Sequence, residues 1–134
     1  MTMLRIEMPW PPRGLSPNAR LHWARKRTLT APYRAVGRSR AAQAMAKLRP
    51  IDTDHLPVVI TFHPPDRRHR DDDNMIGAFK AGRDGIADGL GVNDRHFRPT
   101  YVIGSPLRGG LVVVEVPVIA SVCPVAGEVE PFGT

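Results

Sequence analysis

Cysteine is almost missing from this chain. Cys123 stands alone, which excludes an intramolecular disulfide framework and a thiolate metal cluster. Long apolar runs are missing too. No segment approaches the roughly eighteen consecutive apolar residues that a membrane-spanning helix needs, and the N-terminus lacks the apolar core of a signal peptide. The sequence therefore reads as a soluble cytoplasmic protein with no membrane partner. There is no internal repeat, and no acidic residue occurs between positions 8 and 51. What remains suffices for one folded unit: 134 residues, 42% of them apolar, can bury a core and are not disordered throughout.

The acid-free stretch carries Arg13, Arg20, Arg25, Lys26, Arg27, Arg34, Arg38, Arg40, Lys47 and Arg49, and the whole chain has a net charge of +6. Arginine dominates, and its planar fork suits phosphate oxygens better than the point charge of lysine. A one-sign stretch of this kind is the electrostatic footprint of a protein that meets a polyanion, with nucleic acid first in line. The alternative is a solvated basic face with no ligand.

Residues 3–8 alternate as a half-buried strand, stopped by Pro9, Pro11 and Pro12 around Trp10. Residues 13–30 read as a basic loop holding Asn18, His22 and Trp23. A helix is predicted over 32–48, with Pro32 in its first turn and Tyr33, Val36, Ala41, Ala44, Met45 and Leu48 on one stripe. Arg34, Arg38 and Lys47 lie off that stripe, free to face a ligand. Residues 57–62 form a buried-type strand. A second helix is expected over 73–90, with Met75, Phe79, Ile86 and Leu90 inward. Gly77, Gly82, Gly85 and Gly89 weaken it by up to ~1 kcal/mol each relative to alanine, so packing or a ligand must hold it. Residues 100–103 and 111–118 read as strands joined in a hairpin through Gly109-Gly110. The β-α-β-α-β-β order predicts a single small α/β domain over residues 1–120, with a mixed sheet and two main helices. Residues 121–134 read as a loosely ordered tail.

Chemistry concentrates in one segment: Asp66-Arg67-Arg68-His69-Arg70-Asp71-Asp72-Asp73-Asn74, followed by Lys80, Asp84, Asp88 and Asp94. Three consecutive aspartates repel one another unless something positive sits among them. If Asp73 opens the helix, Lys80 and Asp84 return to within about 20° of its direction, and Asp71, Asp73, Lys80 and Asp84 can share one face. Carboxylates paired in this way suit Mg²⁺ or Mn²⁺, which take oxygen ligands together with substrate phosphates. Such an ion activates water for phosphodiester cleavage, and a nearby lysine offsets developing charge. A metal also removes the conflict between an acidic cluster and a basic protein that attracts the same anion. The competing explanation is a helix cap, favourable by ~0.3–1 kcal/mol, which accounts for Asp73 and leaves two aspartates over. An EF-hand fails, because Ile76 and Gly82 stand where its glycine and glutamate belong. Gly89-Leu90-Gly91 is no dinucleotide loop, the histidines lack zinc spacing, and Cys123 is poorly placed as a nucleophile.

Taken in order, these residues resemble the RusA family of Holliday junction resolvases, found in bacteria and their phages. Pro65 to Asn74 is similar to that family's P-D-R-R-x-R-D-x-D-N signature, and Met8-Pro9-Trp10-Pro11-Pro12 to its L-P-W-P-P. Lys80 and Asp84 match its Lys-x-x-x-Asp, and Gly91-Val92-Asn93-Asp94 its following turn. The resemblance spans roughly residues 3–118. It implies a RusA-like fold and a homodimeric, Mg²⁺-dependent endonuclease that makes paired cuts in four-way DNA junctions during recombination and repair. The metal-binding and catalytic carboxylates would be Asp71, Asp73 and Asp94, with Lys80 as assisting base or phosphate ligand and Asn74 and Asp84 in support. Two departures stand out. Gly77 occupies the place of the family's lysine, so Lys80 reaches from about 4.5 Å further along the helix. Asn93 stands where an acidic residue often precedes the catalytic one.

Arg67, Arg68 and Arg70 are expected phosphate contacts beside the aspartates, as are Arg25, Lys26, Arg27, Arg34 and Arg38. Trp10, Trp23 and Tyr33 are candidates to stack on exposed bases or to join the core. His69 is a candidate phosphate contact or a plain loop residue. Two rival functions are a non-catalytic DNA- or RNA-binding module, and a metal-dependent hydrolase of other phosphoesters that leaves the basic stretch idle.

Overall fold

The computed structural model describes residues 2–16, 23–46, 48 and 50–118. Among them no helix is long and apolar enough to cross a membrane. Lys47, Arg49, Arg20, Asn18, His22, the side chain of Trp23, Cys123 and the expected tail at 121–134 lie outside the described residues.

Four strands form one sheet: β1 (Thr2–Met8), β2 (Leu56–His63), β3 (Phe97–Ile103) and β4 (Leu111–Val118), in the order β1-β4-β2-β3. β4 is antiparallel to both β1 and β2, whereas β2 and β3 run parallel. The sheet is therefore mixed, as the element order implied. The register places Ile60 between Val114 and Tyr101, and Val114 against Ile6. With side chains alternating across the pleat, Leu4, Ile6, Met8, Val58, Ile60, Phe62, Val112, Val114 and Val116 fall on the covered face and are buried.

The expected hairpin between the last two strands does not form. Gly109 and Gly110 do make a turn at positive φ, 85° and 77°, but the chain carries β4 past β3 to the far side of β2. Loop residues 104–107 bind the end of β2 on the way, through Gly104 N–H to the Phe62 carbonyl and Leu107 N–H to that of Pro64, both 2.8 Å. A turn signal marks where the chain reverses, not which strand it returns to.

Three helices cover the sheet: α1 (Trp23–Met45), α2 (Asp72–Ala78) and α3 (Lys80–Leu90). α1 starts nine residues before the expected position and runs through Pro32. Pro32 lacks the N–H that would serve the Thr28 carbonyl, and Thr28 and Thr30 bond back to the carbonyls of Arg25 and Lys26 at 2.7 and 2.8 Å. The expected second helix is two helices, separated at Phe79 (φ −86°, ψ −3°). The Phe79 carbonyl still accepts the Arg83 N–H at 2.9 Å, so the joint is a bend. Its four inward residues, Met75, Phe79, Ile86 and Leu90, are all buried.

The glycines of α3 are explained by packing. A Cβ at Gly85 would lie 2.1 Å from the Arg34 carbonyl oxygen, and one at Gly89 would lie 2.3 Å from that of Arg38. α1 and α3 thus meet backbone to backbone, and close approach replaces the propensity that glycine forfeits.

Candidate functional site: two clefts flanking the helix joint

α3 ends on Gly91 in the left-handed region (φ 75°), whose N–H binds the Asp88 carbonyl at 3.2 Å while Val92 N–H binds Ala87 at 3.0 Å. This closure turns the chain back along the helix. Residues 94–96 then form a short 3₁₀ turn, capped by the Asn93 side chain, which accepts the Arg95 N–H at 3.0 Å. The residue that departs from the family pattern therefore has a local structural role here. Asp94, ten residues beyond Asp84, is delivered to the same side of α3.

The result is an acidic cleft of about 300 Å³ lined by Arg34, Lys80, Asp84, Asp88, Asn93 and Asp94. Asp84 and Asp94 both line it. Burial pushes the Asp84 carboxyl above its ordinary value; the Lys80 ammonium pulls it down and the Asp94 carboxyl pushes it up again. Lys80 Nζ lies 3.5 Å from Asp84 Oδ1, one turn apart on α3. On the opposite rim Arg34 of α1 grips Asp88 through two hydrogen bonds, 2.7 and 3.0 Å, and holds the Asp88 carboxyl below its usual range. Arg34 is thus engaged by protein, not free as its place off the apolar stripe implied.

Arg83 supports this cleft from beneath. Its guanidinium donates to Tyr101 Oη at 3.1 Å and to the Asp94 carbonyl at 3.4 Å, and it lies over the Phe97 ring at 5.8 Å. Its Nε is buried with no partner. Sequence reasoning passed over Arg83; its only signal was a charge between Lys80 and Asp84.

A second cleft, of about 590 Å³, opens at the start of α2, and Asp71 and Asn74 line it. Asp71 occupies the helix-capping position, yet its side chain makes no capping hydrogen bond; it lies 3.7 Å from His69 Nε2 instead. Capping therefore does not consume it. Asp73 is exposed in the first turn of α2 and lines neither cleft. Asp71 lines the second cleft while Lys80 and Asp84 line the first, so the face that the straight-helix geometry gave to Asp71, Asp73, Lys80 and Asp84 is divided between two clefts, with Asp73 in neither. Among the described residues, no three His, Cys, Asp or Glu side chains converge in a way that could hold one ion.

Arg67 and Arg68 are exposed beside the second cleft. Arg70 is only 16% exposed, bound to Asp66 at 2.9 Å and set 5.9 Å over the Trp10 ring. Arg25, Arg27 and Arg38 are exposed along α1, and Lys26 is half-buried. Tyr33 is buried and donates to the Pro9 carbonyl at 2.5 Å, so it belongs to the core and is not a stacking platform.

The fold and these clefts define the chain as a small α/β domain with a mixed four-stranded sheet, a charged cleft on α3 and a basic helix beside it. No protein-family model matches the chain. An uncharacterized protein of Xylella fastidiosa (strain Temecula1 / ATCC 700964) is 41% identical to it over 122 residues, spanning 85% of this chain and 76% of that protein. The chain belongs to the same family as that protein.

Proposed function

We propose that this protein is a homodimeric, Mg²⁺-dependent, structure-selective DNA endonuclease of the Holliday junction resolvase type. The observation that carries the reading is the Asp84–Asp94 carboxyl pair with Lys80 beside it, set into an otherwise basic protein. Burial first, and the neighbouring Asp94 carboxyl after it, raise the Asp84 pKa; a carboxylate placed so is unfavourable for folding and needs a functional reason.

The donor set suits a divalent cation held by one or two carboxylates and completed by substrate phosphate and water. Asp94 and Asp84 would hold it, and Asp71 and Asp73 are the further carboxylates that the RusA resemblance assigns to the reaction. When bound, Mg²⁺ or Mn²⁺ makes water a better nucleophile and neutralises charge on the phosphate. Lys80 places its ammonium on a non-bridging phosphate oxygen. Arg83 holds the Asp94 turn through its carbonyl. The exposed arginines of α1, with Arg67 and Arg68, bind the sugar–phosphate backbone. Two copies related by a twofold axis present two such sites to the symmetric strands of a junction.

The test is cleavage of a labelled mobile four-way junction beside a matched linear duplex, with Mg²⁺, with EDTA, and with Asp94→Asn. Symmetric nicks confined to the junction, lost in EDTA and in the variant, support the reading. Equal cleavage of the duplex overturns junction selectivity. Turnover of small phosphoesters with no action on DNA favours the hydrolase alternative.

A further inference from the structure

The second cleft shares only Asp71 with the proposed reaction, and the rest of its lining is unlike that of the first. Trp10, Arg13, Arg68, Arg70, Asn74 and Met75 supply its working surface. The indole is fixed from behind. It packs edge-on against Phe62 at 6.2 Å, and the Gly110 backbone lies so close that an added Cβ would come within 2.7 Å of Trp10 Cβ. Arg70 is fixed as well: besides its ion pair, it donates to the Arg68 carbonyl at 3.1 Å and the Asp66 carbonyl at 3.4 Å. A rigid indole with a guanidinium pinned over it is a preorganised platform for a flat, electron-rich ring to pack against. Met75 is an apolar wall, and the Asn74 amide offers both a donor and an acceptor to the edge of that ring. Arg13 and Arg68 are exposed and form none of the ion pairs found among the described residues. They stand ready for an anion at the mouth.

A flat heteroaromatic ring with hydrogen-bonding edges and an attached phosphate is a nucleotide. The volume lies within the ~300–1,000 Å³ usual for ligand clefts. We infer that this cleft captures one unpaired nucleotide of a DNA substrate, with its base packed against the Trp10–Arg70 pair and its phosphate held by Arg13 and Arg68. The assignment rests on the nuclease reading above and deepens it. Asp71 lines the same cleft, so the captured nucleotide sets the register of the strand next to a carboxylate. Selection for branched DNA then comes from unpaired bases, which a continuous duplex does not offer.

The test is photocrosslinking of the full-length protein in EDTA to a junction carrying 5-iododeoxyuridine at the point of strand exchange. The adduct is mapped by mass spectrometry, and binding is followed in parallel by fluorescence anisotropy. The other arms are a linear duplex with the same base paired, and the free iodinated nucleotide. An adduct on Trp10 is expected from the junction at about tenfold or more the yield of either control. It is lost in Trp10→Leu and falls about tenfold in the double variant Arg13→Gln with Arg68→Gln, whose positions are exposed and leave the core intact. A junction that binds but gives no adduct on Trp10, or gives as much from the paired duplex, overturns this proposal and leaves the nuclease reading standing. An adduct from the free nucleotide alone makes this a free-nucleotide site and also overturns it. Failure to bind any DNA overturns the nuclease reading and this proposal with it.

Discussion

The two clefts flank one bend, at Phe79, and are built by opposite means. The acidic cleft sets like charges beside each other: Asp84 and Asp94 line it together, relieved by Lys80 and, more weakly, by Arg34. The aromatic cleft has a fixed floor, with Trp10 seated on Phe62 and Arg70 tied to Asp66. One stores unfavourable electrostatics and the other stores rigidity. Chemistry is expected where the fold is under electrostatic load, and recognition where it is already in place.

Substitutions can break this contrast, beginning with the largest effect. Asp94→Asn is expected to lower junction cleavage by at least about a hundredfold, since loss of even an outer partner of a metal ligand costs 10–100-fold. Its melting temperature should stay the same or rise, because a repelling charge has gone; a fall in melting temperature would mean that Asp94 is structural. Gly85→Ala should destabilise the fold by about 1–3 kcal/mol in denaturant titration, despite alanine's better helix propensity, because the added methyl meets the Arg34 carbonyl. Arg83→Met should slow cleavage by about tenfold with little change in KM, and Arg83→Lys should restore part of it; equal losses in both would reduce Arg83 to a packing residue.

The smallest effects have opposite signs. Asp84 has a raised carboxyl pKa, so its contribution to stability is present below the ordinary value near 3.8 and is lost as pH rises through the folded-state value. Asp88 has a lowered pKa, so its contribution is present above 3.8 and is lost as pH falls through its folded-state value. Near neutral pH, Asp84→Asn should therefore raise stability slightly. Asp88→Asn should lower it by under about 1 kcal/mol, given how exposed the Arg34 pair is. Urea titrations at pH 3 and pH 7 separate the two.

How legible each region was in the sequence follows from how local its causes are. The strands could be read from alternation and β-branching because those signals lie within single segments. The first nine residues of α1 could not, because residues 23–31 carry no apolar stripe. The bend at Phe79 was hidden because Met75, Phe79, Ile86 and Leu90 remain inward on both sides of it. Lys80 and Asp84 were found through their i,i+4 spacing. The meeting of Asp84 with Asp94 was not, because it depends on the left-handed Gly91 and the turn that Asn93 caps. Trp10 meets Arg70 across 60 residues of sequence, and only the insertion of β4 between β1 and β2 brings those segments together.

The central claim is tested most directly by measuring binding and cleavage side by side on one four-way junction, for the natural protein and for Asp94→Asn. The account predicts that both bind with similar Kd, that the natural protein nicks two symmetric strands in Mg²⁺, and that the variant nicks neither. A natural protein that binds the junction tightly and cuts nothing in Mg²⁺ or Mn²⁺ would contradict it.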